Sequence, residues 1–249
     1  MKCGLCHQEV QKLVKSHIVP LAMLLHGKPD DCPNGMIIVP SNPTSHIKRS
    51  PNGVYDRIVC DRCEKSFKAG DDALLAFLRS LDQGIGMVDA RGKPVQKTFH
   101  NVDTVVLHRG IITTLYRAHL SKHESHHRVQ LGAFAEPLRQ ALLRPASTLD
   151  IGFDVILRVI DANEAAVVQC PFKERLFDVT TYRLYFPHMS ATIKVDRRPF
   201  PAKYREAIMK EHGPLHVVHH DQFALPELRV LSETYARHRS DIDRIMGNG

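Results

Sequence analysis

Apolar side chains recur at helical spacing in the first half of the chain and predict three long helices. We expect the first at about residues 61–81, where Gly70 is a candidate break, and the second at about 102–122. The third is expected at 133–143 and ends before Pro145. The apolar stripe of the first helix consists of Phe67, Leu74, Leu75, Phe77, Leu78 and Leu81.

Short runs rich in Val, Ile, Phe and Tyr follow residue 150 and predict strands. These runs are residues 151–160, 165–170, 177–186, 191–195 and 215–218. Two earlier strands are expected at 85–88 and 94–99, with Gly92 in the turn between them. The chain closes with a predicted helix at about 226–246.

The N-terminal quarter is short of regular structure. Residues 13–19 predict a strand, and residues 20–26 predict a short helix that begins with proline. Residues 27–56 are rich in proline and glycine, which predicts a long loop around one short strand at 36–39. A loop of this length is usually functional.

Together these elements predict an α+β protein in three regions. Residues 1–82 form a zinc-stabilised N-terminal module with the long inserted loop, and residues 83–145 form a helical middle region. Residues 146–249 form a mixed α/β region, in which a mostly antiparallel sheet is covered by the last helix.

The composition is that of an ordinary globular chain, with 43% hydrophobic and 24% charged residues among 249. The formal net charge is +7, and 16 histidines add positive charge below about pH 6.5. This excess favours a polyanionic partner, although charge alone fits a basic protein without one equally well. No apolar run approaches about 18 residues, and the N-terminus leads directly into a cysteine pair. We therefore expect no membrane span, no cleaved signal peptide and a cytoplasmic location.

Two Cys-x-x-Cys pairs frame the first quarter of the chain: Cys3 with Cys6, and Cys60 with Cys63. Each pair places two thiolates on one side of a tight turn, and two pairs supply the four sulfur ligands of a tetrahedral zinc site. One pair alone would also fit a redox site, but two pairs in a cysteine-poor chain predict structural zinc. Cys32 and Cys170 remain as thiols, as expected in a reducing compartment.

Between the two pairs lies the segment Lys15-Ser16-His17-Ile18-Val19-Pro20. The order of cysteine pair, strand with His17, strand, cysteine pair and helix resembles the HNH nuclease family, whose core is a ββα-metal unit. The resemblance covers about residues 1–68. More narrowly, the chain resembles a bacterial group of uncharacterised HNH-like proteins. The motifs that carry this resemblance are the Ser-His-Ile-x-Pro box at 16–20, the Cys60-x-x-Cys63-Glu64 knuckle, Tyr116-Arg117 and Leu131-Gly132.

The resemblance implies metal-dependent hydrolysis of phosphodiester bonds in DNA, with RNA as the alternative substrate. In that chemistry a base takes a proton from water, and a divalent ion stabilises charge on the phosphate and the leaving oxygen. The resemblance assigns the base to His17 and the Mg²⁺ or Mn²⁺ ligand to Glu64, with Asp56 as a further acidic residue. It also suggests a role in bacterial defence. We predict nucleic-acid contacts at Lys15, Lys48, Arg49 and Arg62.

Three residues depart from the family pattern. Ser16 stands where the family has an acidic residue, Tyr55 where it often has an asparagine, and Glu64 where it has a metal-binding histidine or asparagine. His17 also fits a simple hydrogen-bonding role in a zinc fold, and Glu64 fits an acid favoured by the helix dipole. The alternatives to a nuclease are therefore an inactive zinc-knuckle module that binds nucleic acid, and a protein–protein adaptor. A protein partner or a homo-oligomer is compatible with each function.

A second group of histidines follows the middle helix. We interpret it as a solvated helix C-terminus, where cationic side chains suit the dipole. Metal binding is the alternative for His119 and His123, which are four residues apart. The group consists of His119, His123, His126 and His127.

Overall fold

The computed structural model describes residues 1–26, 36–39, 48–50, 52–126, 128–145, 152–160, 167–176 and 178–219, and five positions between 233 and 240. These residues form an α+β fold, as predicted. The helices are α1 (Leu21–His26), α2 (Asp61–Arg79), α3 (Thr104–Leu120) and α4 (Ala135–Leu143). The first six strands are β1 (Val14–His17), β2 (Met36–Val39), β3 (Lys48–Ser50), β4 (Tyr55–Val59), β5 (Ile85–Val88) and β6 (Pro94–Phe99). The last six are β7 (Val155–Val159), β8 (Val167–Gln169), β9 (Phe172–Leu176), β10 (Val179–Phe186), β11 (Met189–Lys194) and β12 (Leu215–His219).

The three long helices lie close to their predicted positions, and α2 runs through Gly70 without the break that glycine suggested. Gly70 instead faces Gly110 of α3. A Cβ on Gly110 would clash with the carbonyl oxygen of Gly70, so the two helices touch backbone to backbone. The start of α3 is capped by Asp103, whose carboxylate accepts a 3.0 Å hydrogen bond from the Val106 amide.

The largest sheet has seven strands in the order β5-β6-β12-β7-β11-β10-β9. Neighbouring strands are antiparallel except β12 and β7, which are parallel. The middle of the chain contributes β5 and β6, so the sheet joins elements from both sides of residue 146. The sequence pattern does not predict β9, which lies at the sheet edge and is at most half-buried.

One hydrophobic core connects the sheet to the N-terminal part of the chain. Val155, Leu157 and Ala191 on one face of the sheet are almost fully buried. They belong to the same cluster of buried residues as Leu74 of α2 and Ile111 of α3, and the cluster extends to three of the knuckle cysteines. The N-terminal elements are therefore packed onto the sheet through α2 and α3.

We call the described residues between 1 and 82 the N-terminal module. Its strands β1 and β4 are antiparallel, with Ser16 opposite Asp56 and His17 opposite Tyr55. Helix α2 begins immediately after Cys60 and contacts β1. A second small sheet has the order β3-β2-β8, and its parallel pairing of β2 with β8 links the inserted segment to the second half of the chain.

Two predicted elements fall largely outside the described residues. Of the helix expected at 226–246, the described positions are Glu233, Ala236, Arg237, Arg239 and Ser240, and all five are helical. Most of the loop expected at 27–56, including Cys32, is likewise outside them. Within the described part of the chain, no helix has the length and apolarity needed to cross a membrane.

Candidate metal centre and the adjoining His17 site

The two Cys-x-x-Cys pairs come together in one cluster. The sulfur atoms of Cys3, Cys6, Cys60 and Cys63 all lie within 4.8 Å of one another, and those of Cys6 and Cys60 are 3.9 Å apart. Zinc with four Zn–S bonds of about 2.3 Å requires sulfur separations of about 3.8 Å. Among the described residues, no other group of three or more His, Cys, Asp or Glu side chains converges in this way. The donor set therefore fits structural zinc.

The electrostatics of the cluster also favour a cation. Burial raises the pKa of the Cys3 thiol, but backbone N–H groups of Cys60, Cys6 and Leu5 offset this and lower it to about 7. The Cys60 amide donates to the Cys3 sulfur at 3.2 Å. Burial and the neighbouring cysteines raise the pKa of Cys63, because another thiolate there would be desolvated beside like charges. A divalent cation would stabilise the four thiolates together.

The first knuckle is held by contacts from three other elements. Gly4 donates its amide to the Ile58 carbonyl of β4 at 2.9 Å and accepts from the Tyr116 hydroxyl of α3 at 2.9 Å. The guanidinium of Arg139 in α4 donates to the Leu5 carbonyl at 2.7 Å. These bonds fix Cys3 and Cys6 against β4 and α3 independently of a metal ion.

His17 lies at the end of β1 with its ring partly buried. Burial is the main cause that lowers the pKa of His17 from its usual 6.5, and the positive charges of Lys15 and Arg117 lower it further. A hydrogen bond to the Asn52 backbone acts in the opposite direction, so it is donated by a ring N–H. The other nitrogen, Nε2, is shielded from solvent and has no hydrogen-bond partner among the described residues. The neutral ring therefore carries its lone pair on Nε2.

Glu64 lies in the first turn of α2, as predicted, and its Oε2 is also buried without a hydrogen-bond partner in the described part of the chain. Phe67 and Asp71 follow it at helical spacing on the same face. The guanidinium of Arg117 stacks over the Phe67 ring at 4.9 Å and donates two 2.6 Å bonds to the Asp71 carboxylate. Arg117 also donates to the carbonyl of His17 at 3.0 Å. The end of β1 thus lies against the face of α2 that carries Glu64.

The Arg117–Asp71 pair was not among the predicted site residues. The Arg117 side chain is 1% exposed and that of Asp71 is 20% exposed. Burial raises the pKa of Asp71 despite the opposing effect of Arg117, and the charge of Glu64 adds to the increase. An arginine among the buried positions of α3 indicates a paired charge, but nothing in the local sequence identifies Asp71 as its partner.

Asp56 is not brought together with His17. Because it pairs with Ser16, its side chain lies on the opposite face of the β1–β4 sheet from His17 and Tyr55. Its carboxylate accepts from the amides of Arg57 at 2.7 Å and Lys122 at 2.8 Å. Asp56 therefore connects β4 to the segment after α3. Ser16 is fully buried on that same face.

The predicted nucleic-acid contacts occupy different places. Lys15 and Arg62 are exposed, and Arg62 donates to the Gln8 side chain at 3.4 Å. Lys48 and Arg49 belong to β3, which pairs with β2 in a different sheet from β1. Arg57, which was not predicted, is exposed two residues after Tyr55. The face of the β1–β4 sheet that carries His17 is therefore basic.

The interpretation of the second histidine group as a solvated helix end is wrong for His126. That side chain is 4% exposed, and burial lowers its pKa from the usual 6.5 to about 3. A turn after α3 folds it back under the helix end, where His126 lines a small apolar cavity with Ile18 and Leu184. His127 lies outside the described residues. His119 accepts a 3.4 Å hydrogen bond from the Leu131 amide through Nδ1.

The geometry establishes a four-sulfur cluster, and His17 and Glu64 each present a buried polar atom without a partner among the described residues. Comparison with protein-family models, with curated proteins and with solved structures finds no significant match to the chain.

Proposed function

We propose that the protein is a metal-dependent endonuclease that hydrolyses phosphodiester bonds in DNA, with RNA as the alternative substrate. The observation that carries the proposal is that Nε2 of His17 and Oε2 of Glu64 are both buried and without a partner in the described residues. A base and a metal ligand need free lone pairs of this kind. The basic face that carries Lys15 and Arg57 would hold the phosphate backbone beside them.

Each residue has a distinct role in this proposal. His17 is neutral at pH 7 because its pKa is lowered, so Nε2 can accept a proton from water. Glu64 would hold Mg²⁺ or Mn²⁺, which when bound would neutralise charge on the phosphate. Arg117 is a positioning residue, since it fixes the His17 backbone to α2 through Asp71. Zinc at the four cysteines would be structural.

Nicking of supercoiled plasmid with added Mg²⁺ or Mn²⁺ tests this function. We expect His17→Ala to lower the nicking rate by about 10²–10⁴-fold, the usual contribution of a positioned base. Glu64→Gln should cause a loss that higher metal concentrations partly restore. His212→Ala is the matched control, because His212 is 91% exposed and lies far along the chain. Equal nicking by wild type and His17→Ala would exclude the nuclease.

A nucleic-acid-binding module without hydrolysis is the second candidate. It is favoured by the ligand count, because His17 and Glu64 belong to no group of three convergent ligands among the described residues. Buried Ser16 stands in the place of the acidic ligand that the resemblance leads us to expect. Salt-sensitive binding that wild type and His17→Ala share, without nicking by either, would identify this function.

One observation favours the protein–protein adaptor. Edge strand β5 exposes three large apolar side chains, Ile85 by 65%, Met87 by 53% and Val88 by 58%. An exposed apolar edge strand is a common place for another chain to pair. The absence of any salt-dependent affinity for nucleic acid would point to the adaptor.

A further inference from the structure

Tyr55 is an exposed aromatic side chain beside the candidate base. It is 46% exposed, and among the described residues it is the only aromatic side chain that is large, apolar and exposed. Its position opposite His17 in the β1–β4 sheet places both rings on one face, with centroids 5.7 Å apart. The ring therefore stands at the edge of the proposed cleavage site.

Positive charge surrounds this ring. The ammonium of Lys15 lies 3.7 Å from the centroid of the Tyr55 ring, and both side chains are exposed. Arg57 lies on the same face and donates to the Leu13 carbonyl at 3.1 Å. This hydrogen bond holds its guanidinium close to the β1–β4 sheet. The nearest carboxylate along the strand, Asp56, faces the other way. An aromatic ring flanked by cations is suited to a nucleobase with its adjoining phosphates.

We infer that Tyr55 is a stacking platform for an unpaired nucleobase, so that the substrate is single-stranded or locally unpaired nucleic acid. The inference rests on the proposed nucleic-acid function and names its substrate class. In a duplex the bases stack on one another, so a side chain reaches a base face only where the strand is open or the base is splayed out. A base on the ring would displace the exposed Lys15 ammonium. The displaced ammonium would then contact a neighbouring phosphate of the bound strand.

Fluorescence anisotropy of a labelled oligodeoxynucleotide of about 15 residues, single-stranded or annealed to its complement, tests the inference. The full chain with zinc is used, without added Mg²⁺ or Mn²⁺, so that affinity is measured independently of cleavage. We expect wild type to bind the single strand roughly tenfold or more tightly than the duplex. Tyr55→Leu should remove that preference, whereas Tyr55→Phe should retain it within about twofold, because stacking needs the ring and not the hydroxyl.

Two variants separate stacking from charge. Lys15→Gln should weaken binding to both probes by a similar factor and make the salt dependence less steep. Leu143→Met, at another exposed apolar position, should leave both affinities unchanged. Similar affinities for single strand and duplex, or a Tyr55→Leu variant that keeps the preference, would overturn the stacking role while leaving nucleic-acid binding intact. No measurable binding of either probe would overturn the platform and the proposed function together.

Discussion

The N-terminal module and the seven-stranded sheet are stabilised in different ways. In the sheet, β7 and β11 are buried at every position, so burial of apolar surface holds the strands. In the module, β1 and β4 have four and five residues, and Lys15, Tyr55 and Arg57 are exposed. The sulfur cluster, one buried ion pair with α3 and hydrogen bonds to the knuckle add there to buried apolar side chains such as Ile18 and Val59. We therefore expect the module to unfold under perturbations that leave the sheet folded.

Removal of the zinc site should have the largest effect. A structural zinc site contributes about 10–16 kcal/mol of apparent binding free energy, which is coupled to folding of the segment that holds it. We expect Cys63→Ala to abolish stoichiometric zinc binding and to speed amide exchange in β1 and β4, while amides of β7 and β11 stay protected. Elemental analysis and hydrogen–deuterium exchange measure the two effects.

Cys170→Ala is the matched control for this experiment, because Cys170 is 2% exposed but lies outside the sulfur cluster. It should retain zinc and protection in both regions. Retention of zinc by Cys63→Ala, or equal loss of protection in the sheet, would show that the two regions do not differ in the way described.

Loss of the Arg117–Asp71 pair should have the next largest effect. Arg117→Met leaves the carboxylate of Asp71 mostly buried without its partner and removes the bond to the His17 carbonyl. We expect the free energy of unfolding to fall by about 3–5 kcal/mol in urea or guanidinium titrations. Asp71→Leu combined with Arg117→Met should recover much of this loss, because it removes the unpaired charge. A loss for Arg117→Met of less than about 0.5 kcal/mol would contradict this account.

The buried histidine His126 should make stability depend on pH. Its pKa is about 3 in the folded protein and ordinarily 6.5. Between these pH values the unfolded chain binds a proton at His126 and the folded chain does not. Stability should therefore fall as the pH decreases from about 6.5 towards 3, by roughly 4 kcal/mol. Denaturant titrations at several pH values should show a shallower decrease for His126→Gln. His212→Gln, at an exposed histidine, should follow wild type. Parallel profiles for His126→Gln and wild type would contradict the assignment.

The smallest effect is expected at the hydrogen bond from Tyr116 to the first knuckle. Tyr116→Phe removes the 2.9 Å bond to the Gly4 carbonyl and keeps the ring in the core. We expect a loss of about 1 kcal/mol in the free energy of unfolding and slightly faster zinc release to a chelator. Unchanged zinc release would indicate that the other bonds to the knuckle suffice.

Local patterns in the sequence account for most elements of the fold. The helices α2, α3 and α4 have apolar faces at helical spacing, and strands such as β10 and β12 have dense β-branched or aromatic runs. The pattern fails for β9, because a half-buried edge strand with Lys173, Glu174 and Arg175 lacks a dense apolar run. It also fails for His126, since nothing local distinguishes a buried histidine from an exposed one.

In the candidate site, too, local sequence predicts some features and not others. The sulfur cluster could be predicted because each Cys-x-x-Cys turn orients its own two thiols, and two turns complete a tetrahedron. The placement of Glu64 in the first turn of α2 also follows from local sequence. The Arg117–Asp71 pair could not be predicted, since these residues are 46 positions apart and meet only through the packing of α2 on α3. Neither could the face of Asp56, which depends on the register of β1 with β4.

Short-range spacing along the chain predicts the α+β class, the positions of most helices and strands, and the four cysteines of the cluster. It does not predict the order of the seven-stranded sheet, the pairing of β2 with β8, the burial of His126 or the bond from Arg117 to the His17 carbonyl. These features arise because strand pairing and helix packing join residues distant in the chain. Their selection depends on how all apolar faces are buried at once.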